Sequence, residues 1–186
     1  CHDVTRLPPN FHKTHVDFHI NTSPCQSFSS CQTNPKGFQD TCRAAPARAS
    51  AMLHASLSAT NLHIKKLVEN VQFHPSLRAD ELKFQALWCD KFYPLNASDY
   101  GSPSSRPRQY MADFVRLDSL PYVKPLYPSA LLPSHRRCKG SHMPCLVSSM
   151  YTHSVPTVHD AHVGGTARLT AVECEVMQGW PPGITN

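Results

Sequence analysis

The order of apolar periodicities along this chain restricts its fold more than any other property. His15-Val16-Asp17-Phe18-His19-Ile20 reads as a short strand, Ala44 to Leu62 as a helix despite Pro46, and Ile64 to Val71 as a second strand. Pro75 to Asp90, with Leu77, Leu82, Phe84, Leu87 and Trp88, reads as a second helix. Phe92-Tyr93-Pro94-Leu95 and Gln109 to Leu117 complete the series as strands. Strand, helix, strand, helix, strand is the pattern of a doubly wound α/β sheet. Ligands of such sheets gather at the carboxyl ends of the strands. Two reactive side chains fall there: Cys25, in a Pro24-Cys25-Gln26 turn, and Glu69, near the end of the second strand.

Composition sets bounds on the rest. With 186 residues and 40% hydrophobic content, the chain suits one domain with a real core. No apolar run approaches a membrane-spanning length, and no signal peptide is visible. The net charge of +5 permits a polyanionic partner without requiring one. Eight cysteines, at 1, 25, 31, 42, 89, 138, 145 and 174, form no compact framework, which points to a reduced, intracellular compartment. Ser27 to Thr41 is polar, contains Gly37 and reads as a mobile loop. From Asp118 to Gly165 prolines recur and periodicity disappears, as in a loop-rich subdomain. Leu169 to Gln178 reads as a short helix, with Thr170 and Glu173 spaced as a capping box.

Five segments carry a family resemblance: His2-Asp3-Val4; Pro24-Cys25-Gln26-Ser27-Phe28-Ser29; Glu69-Asn70-Val71; Tyr100-Gly101 through Ser105-Arg106-Pro107-Arg108; and Arg168-Leu169-Thr170 through Glu173 to Gln178-Gly179-Trp180-Pro181. In order and spacing they resemble the motifs of the DNA cytosine-5 methyltransferases. Two departures are Ser104, where the family's Gln-x-Arg-x-Arg motif has glutamine, and Trp180, where phenylalanine is commoner. The resemblance implies a partial doubly wound, Rossmann-like sheet of the S-adenosylmethionine-dependent kind. It implies the middle portion of the domain, without the glycine-rich strand-turn that holds the cofactor. Residues 1–117 are then a partial catalytic domain, 118–165 a target-recognition region, and 166–186 a return to the catalytic domain.

The implied reaction moves a methyl group from S-adenosylmethionine to carbon 5 of cytosine in double-stranded DNA. A thiolate must add to carbon 6 to make carbon 5 nucleophilic, and Cys25 is the implied nucleophile. Glu69 is the group that hydrogen-bonds ring N3 and the exocyclic amine. Arg106 and Arg108 supply forks for the base carbonyl, Glu69 and a phosphate. Asp3 and Pro24 are implied to touch the cofactor, and Gln26 and Ser29 the substrate. The base must be flipped out of the duplex, with Ser27 to Thr41 closing over it. Arg136, Arg137 and Lys139 become candidate phosphate contacts.

Two other functions fit the same residues: methylation of cytosine-5 in tRNA, and a non-catalytic nucleic-acid-binding remnant. His135, Cys138, His142 and Cys145 place four nitrogen and sulfur donors within eleven residues. Their spacing is not a common zinc-finger pattern, and among twelve histidines chance clusters arise readily, so no metal is expected.

Overall fold

Strands β1 (Phe18–Asn21) and β2 (Lys65–Val71) lie side by side and parallel, linked through helix α1 (Thr41–Ser58). A parallel pair requires such a crossover, because the chain must return the length of the strand before pairing again. The computed structural model describes residues 6–8, 10–29, 33–144, 157–178 and 181–183. It divides into two units, residues 1–95 with 108–120, and residues 96–107 with 121–186.

In the first unit, Asp40 caps α1 by accepting the Arg43 N–H. Ala44, Ala47 and Ala51 form the buried stripe of α1, where small side chains allow close packing. The helix stops at Ser58, short of the expected Leu62. There the buried Asn61 donates from its amide to the carbonyls of Leu57 and Thr14 and accepts the Val16 N–H, tying the helix end to the approach of β1. Helix α2 (Arg78–Trp88) follows a 3-10 turn at Pro75–Leu77 and rests against α1. Strand β3 (Tyr93–Asn96) leads, beyond the two-residue β4 (Ser104–Ser105), to β5 (Pro107–Ala112). The sheet order is β1-β2-β5-β3, with β5 antiparallel to β2 from Leu67↔Ala112 to Val71↔Arg108. The α/β class is as expected, and the sheet is mixed. β5 ends at Ala112, not Leu117, where the Asp113 carboxylate accepts the Lys66 N–H.

The core of this unit is aromatic. Phe28 stacks on Phe73 with ring centroids 4.7 Å apart, and Phe38, Phe84, Phe92 and Trp88 complete the cluster. Gly37 donates its N–H to the Ser27 carbonyl, and Phe38 is buried against Phe28. The second half of the expected mobile loop is therefore pinned to the core by an aromatic ring.

The second unit has its own core of Leu132, Met143, Val158, Leu169 and Met177. β6 (Arg136–Arg137), β8 (Thr157–Asp160) and β9 (Gly165–Arg168) form an antiparallel sheet, and β7 (Met143–Pro144) runs parallel to β4. The region read as loop-rich thus contains a small sheet. Helix α3 (Ala171–Met177) begins with the complete capping box, Thr170 and Glu173 each bonding the other's backbone.

Candidate active site

Cys25 follows the carboxyl end of β1 in a tight turn. Its carbonyl accepts the N–H groups of both Phe28 and Ser29, which curls Cys25–Ser29 into a single helical turn. The thiol is unpaired, half-buried, and packed against the aromatic core. Pro24 and Gln26 on either side are exposed. Ser29 bridges to Phe73, and the Phe28 carbonyl accepts the His74 N–H, so the turn is clamped to the segment that follows β2.

Two asparagines build the turn from behind. Asn21, the last residue of β1, accepts the Ser23 N–H at 3.0 Å. Asn70, 1% exposed within β2, donates to Ser23 Oγ at 3.4 Å and accepts the Val71 N–H at 2.8 Å. Asn70 belongs to the Glu69-Asn70-Val71 segment, whereas Asn21 does not stand out in the sequence as a site residue. The available signal is the Asn-Thr-Ser-Pro sequence, since a short amide at a strand end favours local backbone bonds.

Glu69 sits one residue before Asn70, and its carboxylate meets Arg108 of β5, with Nε 3.0 Å from Oε1. The two are diagonal neighbours, Glu69 opposite Tyr110 and Arg108 opposite Val71, a spacing that long side chains span. Both are largely buried, so the pair is shielded from solvent. Gln109, opposite Asn70, donates to Glu81 of α2 at 2.7 Å and fixes β5 from its other face. The parallel register Asn21↔Val68 places the Cys25 turn and Glu69 at neighbouring strand ends.

The other basic candidates belong to the second unit. Arg106 is exposed and belongs to the second unit, where its N–H donates to Asn96 Oδ1 at 2.7 Å. Arg136 is 8% exposed and ion-pairs with Asp160 at 3.6 Å and Glu173 at 3.1 Å, so its charge is used inside the second unit. Arg137 and Lys139 are exposed. Asp3, Gly179 and Trp180 lie outside the described residues.

A second polar cluster lies within the first unit. His19 Nε2 contacts Ser50 Oγ at 3.1 Å, and the rings of His19, His54 and Trp88 meet mutually at 5.3 to 5.8 Å. Burial, and then the neighbouring His54, push the His19 imidazole down to about 4. His54 is also lowered, by burial and then by the Lys66 charge, against the opposing Asp113.

No protein-family model and no curated protein matches this chain. Solved structures do. The Entamoeba histolytica methyltransferase EhMeth superposes with a TM-score of 0.59 at 15% identity, covering 90% of this chain and 66% of its own. The fold is methyltransferase-like. A protein described as a prophage DNA modification methyltransferase from E. coli matches with a TM-score of 0.48 at 20% identity, over 74% of this chain and 42% of its own. The chain therefore spans between two fifths and two thirds of the length of these structures.

Proposed function

We propose that this chain carries the catalytic centre of a DNA cytosine-5 methyltransferase, and that Cys25 is its nucleophile. The observation that supports this most is the pairing of a half-buried thiol turn with a carboxylate held by arginine at the adjacent strand end. The fold shared with a protein titled a methyltransferase supports methyl transfer as the class of reaction.

In this reading Cys25 Sγ bonds to carbon 6 of a flipped cytosine, and the ring's double-bond electrons move to carbon 5. Glu69 accepts from the exocyclic amine and shares a proton at ring N3, so negative charge does not build on the ring. Arg108 keeps the carboxylate oriented. S-adenosylmethionine supplies the electrophilic methyl group when bound. The exposed Pro24 beside Cys25 fits a contact with it, and Asp3 is the other assigned contact. Loss of the carbon 5 proton to a base, then cleavage of the carbon–sulfur bond, returns the Cys25 thiolate. Residues 118–165 are assigned to target recognition and 166–186 to the return to the catalytic domain, with exposed Arg137 and Lys139 as phosphate contacts.

Trapping tests this reading. A duplex containing 5-fluorocytosine, incubated with the protein and S-adenosylmethionine, is expected to yield a denaturation-resistant adduct that Cys25→Ser abolishes. An adduct that survives Cys25→Ser overturns the assignment. Trapping on tRNA in place of DNA would move the substrate to tRNA.

A further inference from the structure

We propose that the β8–β9 hairpin of the second unit holds a divalent transition-metal ion of the zinc class, through His135, Asp160 and His162. This does not rest on the methyl-transfer reading. One donor atom from each of the three residues lies within 4.8 Å of the other two. Two imidazoles and one carboxylate suit zinc and its neighbours, and three protein ligands leave a fourth position for solvent.

The backbone fixes all three. Pairing of Arg136 with Asp160 sets His135 beside the end of β8, and the His135 carbonyl accepts the Ala161 N–H at 2.8 Å. Asp160 Oδ1 accepts the His162 N–H at 2.9 Å, which aims the carboxylate toward the turn. The His135 and His162 rings lie parallel, 4° from coplanar, with centroids 3.9 Å apart. At zinc–nitrogen distances of about 2.0–2.1 Å, tetrahedral donors sit about 3.3 Å apart, so loading draws the set together. His162 is exposed on the turn and its terminal torsion is soft, so its ring can swing out of the stack to complete the site.

Local charge allows the cation. Asp160 Oδ2 is 3.6 Å from Arg136 Nε, beyond hydrogen-bond length, and that Nε has no hydrogen-bond partner. Arg136 keeps this longer ion pair with Asp160 and is also engaged by Glu173 at 3.1 Å and by the Arg168 carbonyl. One arginine against two carboxylates leaves a net negative charge for a cation to neutralise. Sequence spacing groups His135 with Cys138, His142 and Cys145; the hairpin gives it partners more than twenty positions away. A bound ion would fasten the hairpin turn to the entry of β6.

The test uses chelator-stripped protein in a thiol-free reductant. Titration with zinc alone is expected to show an equivalent whose affinity falls at least tenfold in His162→Ala and in His135→Ala. That equivalent is expected to persist in Cys138→Ala and His142→Ala. Cobalt at the same site is expected to give weak visible bands without sulfur-to-metal charge transfer. Circular dichroism checks each variant, and His162→Gln serves if His162→Ala does not fold. Failure to bind zinc overturns the proposal. So does binding that survives His162→Ala, or binding lost in Cys138→Ala with a charge-transfer band.

Discussion

Glu69 and Arg108 meet on the diagonal of an antiparallel strand pair, guanidinium Nε to carboxylate Oε1 at 3.0 Å, with both side chains largely buried. A planar fork holds a carboxylate in one orientation, which an ammonium on a flexible stem does not. In the proposed reaction Glu69 works only if its second oxygen stays aimed at the base. Arg108→Ala is expected to slow trapping of 5-fluorocytosine DNA by roughly 10²- to 10³-fold, the scale for losing one positioned polar group. Arg108→Lys is expected to recover only part of it. Quench-flow measurement of adduct formation checks both, and equal rates for wild type and Arg108→Ala would remove the arginine from the site.

Gly37 anchors the loop that follows the cysteine turn. Its φ is +53°, and an added Cβ would fall 1.9 Å from Asp80 Oδ2, the oxygen that accepts the Phe38 N–H. Gly37→Ala is expected to cost about 2 kcal/mol in urea unfolding, since a Cβ in left-handed backbone is penalised by about 1–2 kcal/mol before any clash. In an Asp80→Ala background the same substitution should cost less, because the Asp80 clash is gone while the backbone term and the 3.0 Å approach to Leu77 Cδ2 remain. Equal costs in both backgrounds would rule out the clash.

The pH dependence of stability follows from the buried imidazoles. The unfolded chain takes up a proton near 6.5, whereas folded His19 resists it until about 4. The unfolded state therefore binds more protons in that window, and stability falls as pH falls from 6.5 to 4, then levels. His54 is displaced in the same direction. One unit corresponds to about 1.4 kcal/mol, and solvent screening of a partly exposed ring reduces the sum to about 1–2 kcal/mol. Urea midpoints between pH 7 and 4 check this. His19→Phe, which keeps a ring beside Trp88, should flatten the profile, and an unchanged slope would assign the dependence elsewhere.

The parts of this fold that can be read from the sequence are those with enough residues to show a period. α1 and α2 and the parallel strands β1 and β2 announce themselves, as does the Thr170–Glu173 capping box, because each depends on near neighbours. What escapes is set by pairing at a distance. The antiparallel entry of β5 depends on a register that no local pattern states, and the Glu69–Arg108 contact is implied only by the family resemblance. β6 to β9 span two to four residues, too short for a period to emerge from their proline-rich surroundings. Arg136 illustrates the same limit. In sequence it stands in a basic cluster beside Arg137 and Lys139; in space its neighbours are Asp160 and Glu173.

The burial of Arg136 separates two kinds of basic residue by experiment. Removing one member of a buried charge network leaves the others uncompensated, at a cost of about 3–5 kcal/mol. Arg136→Ala is accordingly expected to destabilise the second unit strongly, with its effect on DNA affinity appearing only as a loss of folded protein. Arg137→Gln and Lys139→Gln are expected to leave unfolding unchanged, because both side chains are exposed. If they contact phosphates, each should weaken binding across all duplex sequences and reduce the slope of log affinity against log salt by about one. Fluorescence anisotropy over a series of salt concentrations reads the slope. A slope unchanged by both substitutions would place the phosphate contacts on another surface, and a slope reduced by Arg136→Ala in folded protein would contradict the interior role of its guanidinium.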